Sequence, residues 1–150
     1  MSTTSATIIR QTAYWGEEVP QSEELMRCYR HYGGYPEGHG IDLATSVMAA
    51  DENGVAPELW VQGVLSNLLN LNISLEFDPK GYEHDLLQYL YVVDGVIDQR
   101  WARTESGHLP ITISIYQVGL HEDYETTMKR APLFSGTAYE LAGKYPPREG

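Results

Sequence analysis

The hydrophobic pattern is clearest in the second half of the chain. In NISLEFD, Ile73, Leu75 and Phe77 alternate with Ser74, Glu76 and Asp78, the period-two pattern of a strand with one buried face. PITISIYQV repeats it with Ile111, Ile113 and Ile115. Between them, LLQYLYVVDGVIDQRW carries Asp94-Gly95 between apolar pairs, a dipeptide suited to the positive backbone angles of a tight hairpin turn. Four consecutive strands with short connections predict an antiparallel meander.

Upstream the period changes. VAPELWVQGVLSNLLN places Pro57 where a first helical turn tolerates it, then Trp60, Val61, Val64, Leu65, Leu68 and Leu69 on one broad apolar stripe. IDLATSVMAADENG reads as a shorter helix with Leu43, Val47 and Met48 on its apolar side, closed by Asn53-Gly54. ATIIRQT and ELMRCYRHY read as strands that pair with each other or with an edge of the meander. HEDYETTMKRA is a helical turn or a loop, and in SGTAYELAG Thr137 stands three residues before Glu140, the spacing of a capping box. No repeat or linker divides the chain. The prediction is one α+β domain over residues 1–150: an antiparallel sheet, built from a four-strand C-terminal meander plus N-terminal strands, with two helices packed on one face. The polar or proline-rich ends, 1–5 and 145–150, are expected to be mobile.

Composition fits a folded domain and narrows its partners. The net charge of −11 opposes broad nucleic-acid binding, and an acidic surface serves solubility or meets a basic protein. A single cysteine, Cys28, excludes an intramolecular disulfide and a multi-thiolate metal site, and suits a reducing compartment. No apolar run approaches the roughly 20 residues of a membrane span, and the N-terminus lacks the segments of a signal peptide, so a cytoplasmic protein without membrane association is expected.

Candidate chemistry gathers in RCYRHYGGYPEGHGIDL, Arg27 to Leu43. A glycine-rich loop that leaves a strand and enters a helix presents free backbone N–H groups near a helix N-terminus, a natural seat for an anion. Arg27, Arg30, His31 and His39 add positive charge, Gly38 and Gly40 permit close approach, and Tyr35 offers a ring, so these seven form the candidate ligand site. Strand alternation sends Arg30 inward with Met26 and Cys28 and leaves Arg27, Tyr29 and His31 outward. An inward Arg30 requires a carboxylate or a ligand. The bland alternative is an irregular turn in which Asp42 or Glu37 satisfies the arginines. No Walker lysine and no G-x-G-x-x-G pattern accompany the glycines.

Other sites are weaker. His31, Glu37 and His39 are suitable metal ligands, but their spacing matches neither H-E-x-x-H nor a finger, and a flexible loop would have to organise all three. His84, His108 and His121 are isolated near predicted loops and read as solvated. Cys28 and His31 point to opposite faces of a strand, and Ser135 lacks a nucleophile elbow and reads as a cap or turn residue. Tyr29, Tyr32, Tyr35, Tyr89 and Tyr91 read as sheet packing or stacking platforms, and with Trp15 and Trp101 they offer a protein interface. No catalytic set assembles, and no cofactor or metal is implied.

The residues YRHYGGYPEGHG, with LFSGTAYEL near the end, resemble an uncharacterised family of tailed-phage and prophage proteins carrying a Y-R-H-x-x-G-Y-P-E-G motif. The resemblance implies a phage or prophage origin and the host cytoplasm as its setting. In that pattern the position of Gly33 is often Asp, so any role of that carboxylate is missing here. The leading expectation is a non-catalytic accessory protein that binds a small anionic ligand, such as a nucleotide signal, at the Arg27–Gly40 loop. The alternative is a module that engages a host or phage protein through an acidic or aromatic face. A hydrolase-like or metal-dependent enzyme comes third, and oligomeric state is left open.

Overall fold

The computed structural model describes residues 3–14, 19–98 and 102–145. Six strands form one sheet in the order β3-β2-β1-β4-β5-β6. The central strand β1 (Ser5–Tyr14) is antiparallel to β2 (Gln21–Arg30), which carries the short edge strand β3 (Glu76–Asp78). On its other side β1 runs parallel to β4 (Tyr89–Asp98), followed antiparallel by β5 (Ile111–Gln117) and β6 (Phe134–Gly136).

The fold is thus α+β, but its sheet is mixed, which corrects the expected antiparallel sheet with a four-strand meander. NISLEFD contributes only β3, at the edge farthest from β5 and β6, and Phe77 lies exposed there. Asp94-Gly95 is not a hairpin turn but the interior of β4. The reason lies across the sheet: a Cβ on Gly95 would sit 2.4 Å from Trp60 Cε2. Glycine is there to admit the indole, whose N–H donates to Gln11 Oε1 at 3.0 Å.

Helices α1 (Ile41–Glu52) and α2 (Trp60–Leu69) form as the apolar periodicity predicts, and α1 ends before Gly54, which takes a φ of 72°. With α4 (Ala138–Lys144), they close the main core, in which Leu43, Val47, Trp60, Leu68 and Leu141 meet Ile9, Tyr91, Val93 and Ile113. Thr137 and Glu140 form the predicted capping box of α4. The opposite face is also covered at one end, so the helices are not confined to a single face. There Tyr124, from α3 (Tyr124–Lys129), joins Ala6, Ile8, Tyr29, Leu87 and Leu90. Farther along that face Arg10 and Thr12 are bonded to Asp94.

Residues 3–5, expected in a mobile end, are tied down: Thr3 accepts from Gly34 N–H, Thr4 N–H donates to Gln88, and Ser5 is fully buried. Ser135 lies in β6, bonded to Ser114, rather than in a cap or turn. Trp15, Trp101 and the 146–150 end lie outside the described residues. Among the described residues no helix is long and apolar enough to cross a membrane.

Candidate functional site

The Arg27–Gly40 stretch divides between the two faces of the sheet. Arg30 points to the helix side, as alternation requires, and meets Asp42 Oδ2 at 2.5 Å. Its Nε donates to the Tyr32 carbonyl at 2.6 Å, and Nη1 stands 3.2 Å from His39 Nδ1. A guanidinium only donates, so Nδ1 accepts and Nε2–H of His39 donates to Thr7 Oγ1 at 2.7 Å. His39 is 0% exposed, and burial, reinforced by the Arg30 charge, brings its pKa down to about 3.

The backbone of this loop is equally engaged. Residues Pro36–Gly40 form a wide helical turn that runs directly into α1. Gly34 N–H donates to Thr3, Gly38 N–H to Tyr35, and His39 N–H to both Gly33 and Tyr35 carbonyls, so these donors of the anticipated anion seat already bond backbone oxygens. A Cβ on Gly38 would fall 2.5 Å from the Gly33 carbonyl oxygen and 3.0 Å from the half-buried Tyr35 ring, while Gly40 packs on Tyr91 and Ile115. Gly33 adopts φ 72°, and its missing Cβ would lie 2.8 Å from Arg30 Nη2. A side chain at that position would therefore crowd Arg30, whose carboxylate partner is Asp42.

Arg27 and His31 do not join this group. Arg27 lies on the other face, held by Glu24 at 2.7 Å and over the Tyr124 ring at 5.0 Å. His31 bonds Glu76 at 2.9 Å, so His31, Glu37 and His39 do not converge on one metal position. Burial pushes the Cys28 thiol up to about 12, which removes thiolate chemistry at neutral pH.

A second constellation forms where α1, the segment before β5 and α4 meet. Asp51, on the stripe Leu43–Val47–Asp51 of α1, has a side chain only 4% exposed. Its Oδ1 accepts from Arg103 Nη1 at 2.7 Å and Leu109 N–H at 2.8 Å. Its Oδ2 accepts from His108 Nδ1 at 2.5 Å and Tyr139 Oη at 2.7 Å. A carboxylate in the last turn of a helix opposes the helix dipole. Burial raises its pKa further, but the bonds from Tyr139, Leu109, His108 and Arg103 more than reverse this and keep Asp51 ionised. Through its bond to Asp51, Tyr139 is pushed up to about 12 and remains a phenol.

Arg103 is anchored further, since it also donates to the carbonyls of Gly107 and Val55. His108 differs. Its side chain is 49% exposed, and among the described residues Nε2 makes no hydrogen bond. In the neutral ring Nδ1 carries the proton to Asp51, and Nε2 presents a lone pair. His108 lines a cleft of about 570 Å³ whose walls include Val47, Val96, Pro110, Ile111 and Ala138, with Ser106 and Thr112 also lining it. A mostly apolar cleft with a few fixed polar groups suits a small molecule.

None of the seven sequence-predicted residues lines this cleft, and the residues that do were missed. His108 had read as solvated, as had His84, which instead bonds Asp78 at 2.7 Å and stacks on Tyr29. One signal was available for the cleft: Asp51 falls four residues after Val47 on an apolar stripe, where a carboxylate needs partners. Compared with protein-family models, curated proteins and solved structures, the chain finds no match in any of the three.

Proposed function

We propose that this chain is a non-catalytic binding protein that holds a small molecule in the Asp51–His108 cleft. The supporting observation is a buried, ionised carboxylate that fixes one nitrogen of an imidazole and leaves the other available beside apolar walls. The ligand this favours has an apolar ring or chain and one polar head. An O–H or N–H in that head donates to Nε2 of the neutral ring. The phage resemblance suggests an accessory role in a host cytoplasm. An anionic ligand at the Arg27–Gly40 loop has less support, because Arg30 and His39 are bonded internally.

Thermal shift across a panel of aromatic alcohols, nucleosides, nucleotides and carboxylates separates these sites. A ligand of the cleft raises Tm in the wild type and in folded Arg30→Ala, but not in His108→Gln. A compound whose effect survives His108→Gln and disappears in folded Arg30→Ala restores the loop reading. No shift with any compound removes both.

The same Asp–His bond favours a second reading, in which His108 is a general base that activates water for hydrolysis. Turnover of ester or phosphoester substrates that is lost in His108→Gln distinguishes it from binding alone.

A further inference from the structure

We propose a divalent transition-metal site, of Zn²⁺ type, at Glu76, Asp78 and His84, on the face of the sheet opposite the cleft. One donor atom from each residue lies within 4.8 Å of the other two. Tetrahedral Zn²⁺ with bonds of about 2.0–2.1 Å needs donors about 3.3–3.4 Å apart. Asp78 Oδ2 and His84 Nε2 are 2.7 Å apart, so an ion entering between them parts a hydrogen-bonded pair by well under an ångström. The side chain moves little, and the proton that the pair shares leaves for solvent.

The site draws on separate segments. Glu76 and Asp78 alternate along β3 and so project to one face, where β2 places Tyr29 and Arg27 opposite them in register. His84 arrives from the following loop with its ring fixed: it stacks on Tyr29 at 3.7 Å between centroids and 17° between planes, and meets the Tyr82 ring edge-on at 4.9 Å. Its backbone N–H donates to Tyr124 Oη at 3.3 Å. His31, at 2.9 Å from Glu76, supplies the outer partner that orients a ligating carboxylate. Arg27, opposite Asp78 in register, turns to Glu24 and the Tyr82 carbonyl, so it does not take the place of a cation between Asp78 and Glu76.

One imidazole with two carboxylates favours Zn²⁺ and its neighbours over Mg²⁺, which prefers oxygen alone. The fourth position stays with solvent or an incoming ligand. A bound ion would also clamp the three-residue edge strand and the loop after it onto β2.

The test is calorimetric titration of ZnCl₂ into tag-free, chelator-stripped full-length chain, with MgCl₂ in parallel. One equivalent of Zn²⁺ bound in the micromolar range or tighter, weakened at least about 100-fold in His84→Gln and at least about 10-fold in Glu76→Gln, supports the site. Glu76 is exposed, so its variant remains informative if His84→Gln does not fold. No Zn²⁺ binding, a preference for Mg²⁺, or Zn²⁺ binding that both variants leave unchanged overturns it.

Discussion

The Arg30–His39 loop and the Asp51–His108 cleft both pair a histidine with a charged side chain at an end of α1, yet they leave different things over. At the N-terminal end both ring nitrogens of the histidine are taken up within the fold. His39 bridges Arg30 and Thr7, is wholly buried and is held neutral, and the surrounding amides bond backbone carbonyls. At the C-terminal end Asp51 is as thoroughly bonded, but His108 spans the boundary between a buried carboxylate and an open cleft. A cluster rich in unusual residues is therefore not more functional than a dispersed one. What distinguishes a site is a donor or acceptor still available after the fold has satisfied itself.

This contrast can be broken first at the loop. Gly38→Ala forces a methyl group to within 2.5 Å of the Gly33 carbonyl oxygen, a backbone atom that cannot swing away. It should cost about 4 kcal/mol, at the upper end for overpacking, measured by urea denaturation. A loss under about 1 kcal/mol would mean that the loop is loose enough to admit a ligand.

Removing the central charge of each region comes next. Arg30→Ala strands Asp42 and takes a donor from His39, and Asp51→Asn leaves Arg103 and His108 without their carboxylate. Each should lose about 3 kcal/mol in the same assay. Equal losses at the two ends of α1 would show that burial of charge alone does not distinguish structure from site.

Protonation tests the loop more gently. The folded-state pKa of His39 is lowered from 6.5 to about 3, so the unfolded chain takes up the proton first as pH falls. The contribution is fully present above pH 6.5 and is lost as pH falls towards 3, at up to about 1.4 kcal/mol per unit. Between pH 7 and pH 5 this amounts to about 2 kcal/mol. Asp51, depressed from 3.8, adds its own loss only below that window. Denaturation at the two pH values, compared with His39→Gln, checks the assignment: the variant should flatten the slope whatever its stability at pH 7.

Much of this frame was legible in the chain. The period of 3.6 located α1 and α2, Thr137 and Glu140 announced α4, and alternation correctly turned Arg30 inward. The parallel β1–β4 pair was not, because Asp94-Gly95 satisfies turn chemistry as well as it accommodates Trp60, and only the packed partner decides which. The cleft escaped for a related reason. Asp51, Arg103, His108 and Tyr139 are up to 88 residues apart, and no local pattern brings them together.

The smallest expected change in stability tests the contrast most directly. If His108 is the group left over, His108→Ala should cost under about 0.5 kcal/mol, since a half-exposed ring is removed while Asp51 retains Arg103, Leu109 and Tyr139. Asp51 remains ionised with three donors, so the cavity floor keeps its shape. A loss comparable to that of Asp51→Asn would instead make His108 a clamp, as internal to the fold as His39. The cleft would then be a gap between well-satisfied groups. Paired denaturation of His108→Ala and Asp51→Asn under one condition therefore decides whether the two ends of α1 differ in kind or only in exposure.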